Sequence, residues 1–438
     1  MKILFIHPNQ PSQFKRPAIE LASDSSNEVV FLSRKNLDIQ LPNVRVVGFH
    51  ESDAETVKAD KFSAKVVAGS LRATAVASVC LVLKQQGFTP DIIVAHSGWG
   101  DGLYLKTVYP DVPQLHYMEF FFQPIGSDLN FEPGSSTGPN ILAARSMDNT
   151  IHMANFFNAD WCVSPTYWQR SVHPVEMQSK ISVLHEGVNT KLCAPKQWDS
   201  YVLPNGKVLN PLTDEIVTHI QRQFDKYRGF ETVIRAVEEI QRRRPNAQIL
   251  IVGKDGESYT QNKPGYYKDI IYKADFDRSR VHFLGHLPFQ EYIKVLQVSS
   301  ANIYLTYPFV LSWSFIEAMS VGCPMICSNT PPVAEVAKHE ENCLMFDFFN
   351  ASELADSVDR VLDDRSFGKK LGITAREKVV QQYDRGHLSA MMIELIKDIG
   401  AGKGPPAAAK KIADWNNQLG RDDESWQRNI PLYPYSKA

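Results

Sequence analysis

Short β-branched runs alternate with helical patterns along the whole chain. Lys2–His7, Val29–Leu32, Val44–Phe49, Asp91–Ala95, Pro113–Met118 and Trp161–Val163 read as strands. Between them, Ala64–Gln86 is long enough for a helix and largely apolar on one side. The rhythm restarts at Ile216–Ile220. Phe230, Val233, Ile234, Val237 and Ile240 then recur at i, i+3, i+4, i+7 and i+10, one face of an amphipathic helix. Gln248–Gly253, Val281–Leu284, Asn302–Tyr304 and Pro324–Ser328 continue the second set of strands. Strands separated by helices predict parallel pairing through right-handed crossovers. The expected fold class is therefore α/β, with two Rossmann-like doubly wound domains facing across a cleft at their strand C-termini.

The pattern divides the chain into residues 1–190, a hinge at 191–212, a second domain at 213–400 and a tail at 401–438. The second domain's last helix has the option of packing back on the first domain. Two stretches break the rhythm: the Phe-, Gly- and Pro-rich Phe120–Gly138, whose length suggests function or disorder, and the tail.

Composition narrows the class. With 47 Lys+Arg against 49 Asp+Glu the 438-residue chain carries a formal charge of −2, which gives no electrostatic argument for a nucleic-acid partner. Hydrophobic residues at 43 % and charged residues at 22 % fit a globular protein and not a disordered one. No apolar run is expected to reach the roughly 18–20 residues that span a bilayer. Met1–His7 is too short for a signal-peptide core. The six cysteines lack any Cys-x-x-Cys pair, so the expected setting is a reducing cytoplasm.

Chemistry concentrates at a few strand ends. The first strand is followed by Pro8-Asn-Gln-Pro-Ser-Gln-Phe14 with no Gly-x-Gly-x-x-Gly, and neither a Walker A sequence nor a Gly-x-Ser-x-Gly elbow occurs. The stretch Tyr304–Pro324 reads as a strand end, a loop, and a helix starting near Ser312–Ser314 and stopping at Gly322. Such a helix points backbone N–H groups and its positive dipole end at an anion such as a diphosphate. Glu317 suits vicinal hydroxyls like those of a ribose. The alternative is that Ser314-Phe-Ile-Glu317 is a capping box and Glu317 merely closes its own helix. Asp275-Phe-Asp277 looks like a metal motif but is a weak match, and no metal is expected.

From these residues the sequence resembles the retaining GT-B glycosyltransferases, in particular glycosyltransferase family 4. Glu317-Ala-Met-Ser-Val-Gly-Cys-Pro324 matches the second half of the family's Glu-x7-Glu motif region. Arg222-Gln-Phe-Asp-Lys-Tyr-Arg-Gly229 is similar to its Arg-x4-Lys-Gly region with one residue more, and His185-Glu-Gly-Val-Asn189 to its hinge sequence. His96-Ser-Gly-Trp-Gly-Asp101 and Thr306–Ser314 look like a bacterial branch associated with surface polysaccharide.

The resemblance implies transfer of a hexose-type sugar from a nucleotide-diphosphate donor to a saccharide or glycolipid hydroxyl, with the donor as substrate and no cofactor. It implies that Glu317 meets the donor ribose and Arg222 and Arg228 its diphosphate, with Lys226 as rival to Arg228. Leu311, Ser312, Trp313 and Ser314 would line the phosphates, and Gly285, His286 and Leu287 the nucleobase. Glu119, with His116 second, would face the transferred sugar. Gln10 in the Pro8–Phe14 loop, His96, Trp99 and Asp101 would serve sugar or acceptor. Phe309 stands where the family's first motif acid is expected, eight positions before Glu317. That departure keeps open a catalytically degenerate binding or activating subunit, alongside an epimerase or phosphorylase on the same fold. The aromatic Tyr117–Phe122 stretch leaves open a peripheral contact with the cytoplasmic face of the membrane.

Overall fold

The computed structural model describes residues 1–9, 11–34, 40–50, 60, 62–135, 137–256, 258–260, 262–263, 265–402 and 405–429. The chain forms two compact units. The first comprises Met1–Glu186 with Gly386–Asp423, and the second Gly187–Arg385 with the segment from Glu424 on.

Unit 1 is built on a seven-stranded parallel sheet. Its strands are β1 (Lys2–Ile6), β2 (Glu28–Arg34), β3 (Arg45–Phe49), β4 (Ile92–His96), β5 (Gln114–Tyr117), β6 (Trp161–Ser164) and β7 (Ile181–Val183), in the order β3-β2-β1-β4-β5-β6-β7. Alternation along β1 sends Ile3 and Phe5 into one core cluster and Leu4 and Ile6 into another, which is why the strand is apolar at every position from Ile3 to Ile6. All four are fully buried, each stabilising the unit by roughly 1.5–3 kcal/mol. Helices Arg385–Gly400 and Ala407–Gln418 add Leu388, Leu395, Ile396 and Ile412 to the first of these clusters.

Unit 2 opens with a two-stranded antiparallel hairpin, β8 (Tyr201–Val202) and β9 (Val208–Leu209). A six-stranded parallel sheet follows: β10 (Ile216–Gln223), β11 (Gln248–Lys254), β12 (Val281–Gly285), β13 (Ala301–Tyr304), β14 (Met325–Ser328) and β15 (Leu344–Phe346), in the order β12-β11-β10-β13-β14-β15. The expected amphipathic helix is Phe230–Arg243, with Phe230, Val233, Ile234, Val237 and Ile240 buried. The fold class is thus two doubly wound α/β units. The edge strands β7 and β15, of three residues each, had no expectation attached.

One expectation is corrected. Helix Ala64–Gln85 contains an 18-residue stretch of mean hydropathy 1.9, so by length and composition it is apolar enough to cross a membrane. Its Ser, Thr, Gly and Ala residues make the stretch look mixed while lowering hydropathy little. In unit 1 the helix buries Gly69, Ala73, Val76, Cys80 and Leu83, and a core helix has the same character.

The Phe120–Gly138 stretch has no strand or long helix among its described residues. Phe120, Phe121 and Phe131 are buried. The Phe122 backbone exchanges two hydrogen bonds with the Asn149 side chain, and the cations of Arg145 and Lys65 lie 4.6 and 5.1 Å from the Phe122 ring.

Candidate functional site

In each sheet the order reverses beside one central pair, β1/β4 in unit 1 and β10/β13 in unit 2. Doubly wound sheets bind ligands at the carboxyl ends of such a pair. Of the sequence-flagged residues, His96 lies at the end of β4, Arg222 at the end of β10, and Leu311–Ser314 follow β13.

In unit 2, β10 ends in Arg222 and Gln223, with a register irregularity against β11 between Ile220 and Gln223. The Arg222 side chain is exposed, and its carbonyl oxygen accepts a hydrogen bond from His286 Nε2 at 2.5 Å. Half-buried Lys226 opens a 3-10 turn capped by Asp225, which accepts from the Tyr227 N–H at 2.6 Å. Arg228 turns to the carboxyl end of β13. Its Nη1 donates to Tyr304 Oη (3.2 Å), Thr306 Oγ1 (2.6 Å) and the Val310 carbonyl (3.1 Å), so the guanidinium ties down the loop between β13 and the next helix. Burial opposes its charge, yet Tyr304, Tyr259 and Asp225 outweigh that and the pKa is raised.

That next helix is Trp313–Val321, capped by Ser312, whose hydroxyl accepts from the Ser314 N–H (3.3 Å) and lies 2.7 Å from Ser314 Oγ. Because Ser312 is the cap, Glu317 is the fifth helical residue and not the third, and a Ser314–Glu317 capping box does not form. Glu317 Oε2 instead accepts a hydrogen bond from Tyr292 Oη at 2.8 Å. Burial raises the Glu317 pKa, and the Tyr292 hydrogen bond and Arg385 pull against that rise. Leu311 is buried in the core of unit 2, while Trp313 is exposed. Gly285 takes the left-handed conformation (φ +66°) that turns the chain after β12, and Leu287 packs by the β8–β9 hairpin cluster. Phe309 is buried, edge-on to Tyr227 and Tyr259 at 5.4 and 5.1 Å.

In unit 1, Glu119 lies beyond the end of β5. Its carboxylate is 3.5 Å from His96 Nε2 and accepts from Gln13 Nε2 at 3.2 Å. His116 sits on β5 two residues from Gln114, hydrogen-bonded to its Oε1 at 2.8 Å, and is fully buried. Burial first, then the charge of His96, pushes its pKa down to about 3, so it is a neutral interior group. Asp101 is also buried, 3.6 Å from Arg72 Nε, whereas Trp99 is 38 % exposed with Arg72 5.9 Å over its ring. Gln10 lies outside the described residues. The structure therefore brings Glu119 and His96 together, holds His116 and Asp101 in the interior, and sets Arg228 in a clamp. Sequence reasoning missed Gln13, Gln169 and Tyr292. Gln13 lies in the flagged Pro8–Phe14 loop, but the other two carry no local signal.

Among the described residues no group of three or more His, Cys, Asp or Glu is arranged to hold a metal ion. The Asp277 carboxylate serves its own turn, binding Arg280 Nε (2.8 Å) and Ser279 Oγ (2.7 Å).

Fold and site define a two-domain, GT-B-type protein. A profile described as "Glycosyl transferase family 4 group" matches residues 25–193, and one described as "Glycosyl transferases group 1" matches residues 206–378. The chain thus carries two consecutive glycosyltransferase-family regions, a family 4 group region and a group 1 region, on a GT-B fold.

Among curated proteins it is similar to an uncharacterized glycosyltransferase, MJ1607, of Methanocaldococcus jannaschii (24 % identity, covering 50 % of this chain and 54 % of that protein). It is also similar to a D-inositol 3-phosphate glycosyltransferase of Corynebacterium aurimucosum (23 % identity, 49 % and 52 %). The chain spans about half the length of the curated relatives it matches. Among solved structures it shares its fold with sucrose-phosphate synthase of Thermosynechococcus elongatus (TM-score 0.69, 17 % identity, 92 % of this chain and 100 % of that one). It also shares it with Anabaena Alr3699/HepE in complex with UDP-glucose (TM-score 0.64, 14 % identity, 91 % and 99 %).

Proposed function

We propose that this chain is a retaining glycosyltransferase that moves a hexose from a nucleoside-diphosphate sugar to a saccharide or glycolipid hydroxyl, in polysaccharide assembly. The observation that carries the reading is the β10/β13 switch point. There the exposed Arg222, the turn residue Lys226 and the Ser312-capped helix start share one sheet edge, and the Glu317 carboxylate is held by Tyr292 rather than by its own helix. The profile matches and the UDP-glucose-bound neighbour support the donor class.

In this reading Arg222, Lys226 and the helix N-terminus stabilise the charge that develops on the leaving diphosphate. Glu317 accepts from ribose hydroxyls. Arg228 contributes by shaping the loop and not by touching phosphate. Glu119 and His96 read the sugar or acceptor. The leaving phosphate itself takes the acceptor proton on the face it departs from, so no side chain need serve as base.

The test is nucleotide release from UDP-glucose, UDP-N-acetylglucosamine and GDP-mannose, with product analysis. Glu317→Gln is expected to lose most of the rate with its fold intact. Wild-type turnover in that variant would refute the donor-site assignment. Phe309, packed on Tyr227 and Tyr259 where the resemblance expects an acid, motivates a second reading, a sugar-binding subunit without turnover. Calorimetric binding of a nucleotide without release from any donor would favour it.

A further inference from the structure

Glu119 is held by groups from three separate segments of unit 1. Gln13, in the turn after β1, donates through Nε2 to Glu119 Oε1 at 3.2 Å. His96, the last residue of β4, accepts the Gly98 N–H at Nδ1 (3.1 Å). In a neutral ring this puts the proton on Nε2, which stands 3.5 Å from Glu119 Oε2. Gln169 donates through Nε2 to the Glu119 backbone carbonyl at 2.7 Å, and its own N–H and Oε1 are paired with the Thr166 hydroxyl.

His96 and Gln169 are buried at 3 and 1 % exposure, whereas the Glu119 side chain is 35 % exposed. A buried frame thus presents one accessible carboxylate. The backbone that aims Gln13 is unusual. Ser12, a non-glycine residue, has φ +39°, and Phe14 on the other side is buried edge-on to His7 and Tyr117. A disfavoured conformation persists only where the surroundings determine it.

We propose that Gln13 is a positioning residue for the Glu119 carboxylate. An amide N–H on Oε1 and an imidazole N–H beside Oε2 fix the carboxylate plane, and the remaining lone pairs then accept from a substrate hydroxyl. Gln13 does not touch the substrate; it sets where the acceptor atoms lie. This rests on the proposed function, in which Glu119 reads a sugar.

The experiment measures nucleotide release from UDP-glucose, UDP-N-acetylglucosamine and GDP-mannose by the full chain and by Gln13→Met, Glu119→Asp and the double variant. Gln13→Met keeps length and removes the donor. Its kcat is expected to fall at least about tenfold with donor KM within about twofold, as for an interaction made in the transition state. In the Glu119→Asp background, where the shortened carboxylate is beyond Gln13, the same change is expected to cost less than about twofold. Equal cost in both backgrounds, or none in the wild type, overturns the proposal. If Gln13→Met fails to fold, Gln13→Asn is read the same way, since its shorter amide keeps the polarity and falls short of Glu119. Glu119→Gln separates the two levels: wild-type turnover in that variant removes the sugar-reading role of Glu119 itself. Release from no donor by the wild type removes the proposed reaction and this proposal with it.

Discussion

If Arg228 is a loop clamp, replacing it with Met lowers stability before it touches chemistry. Three acceptors depend on Nη1: Tyr304 Oη at 3.2 Å, Thr306 Oγ1 at 2.6 Å and the Val310 carbonyl at 3.1 Å. At about 1.5–3 kcal/mol for each hydrogen bond to a charged group, a simple sum gives roughly 4–9 kcal/mol. Two offsets reduce it. The Tyr304 and Thr306 hydroxyls rotate to other partners, and removing a buried cation returns part of its desolvation. The Val310 carbonyl is the lasting orphan, so about 2–3 kcal/mol is expected to remain. For a unit of this size that is roughly 4–12 °C in melting temperature.

The loosening has a defined location. Tyr304 Oη also accepts the Ser312 N–H at 3.0 Å, so residues 305–312 and the helix start lose their anchor together. Calorimetric melting of the full chain, with hydrogen exchange read on peptides covering residues 305–312, measures both effects. Donor affinity then falls as a consequence, and Arg228→Lys, with one ammonium for three acceptors, lies between. A variant that melts within 1 °C of wild type, on the order of a few tenths of a kcal/mol, would refute the clamp if exchange at 305–312 is unchanged and donor binding is lost. Arg228 would then contact the diphosphate directly.

Three further outcomes follow from the geometry. Glu317 has a pKa raised by burial, so its favourable contribution is complete below the unfolded carboxylate pKa and is lost as pH rises through the folded value. Glu317→Gln should therefore gain stability over wild type between pH 4 and 7.5 in paired melts, and a shrinking difference would contradict this. In unit 1, burial pushes His7, His116 and His152 down to about 3 and His173 to about 4, so unfolding binds protons below the ordinary imidazole value of 6.5. Stability should be level above that pH and fall towards pH 4 by up to about 1.4 kcal/mol per pH unit per histidine; a flat denaturation profile from pH 7.5 to 5 would sink the assignment. At Gly372 a Cβ would collide with the Gly322 carbonyl oxygen, where helices Trp313–Val321 and Arg365–Gln382 cross. Gly372→Ala should cost about 1–3 kcal/mol, and an unchanged melt would show that the crossing is slack.

Local order was written in the chain and needed no tertiary information. Apolar runs and one i, i+3, i+4 stripe specify the central strands and helix Phe230–Arg243, because hydrophobic periodicity acts over neighbouring residues. The motifs at the ends of β1, β4, β10 and β13 marked the two switch points for the same reason: each lies in a single stretch of sequence.

Packing between distant segments decided the rest. Whether a basic residue meets a phosphate or a loop depends on which acceptors surround it, and Arg228 finds Thr306 and Val310 78 and 82 residues away. Tyr292 supplies the hydrogen-bond partner of the Glu317 carboxylate, and strand direction puts His116 inside while the chain beyond β5 leaves Glu119 accessible. The same physics recruits Gly386–Asp423 to unit 1, since its apolar faces bury against a sheet formed by the other end of the chain. Residue type and spacing nominate a group for chemistry; the partners that fix its orientation come from elsewhere in the fold.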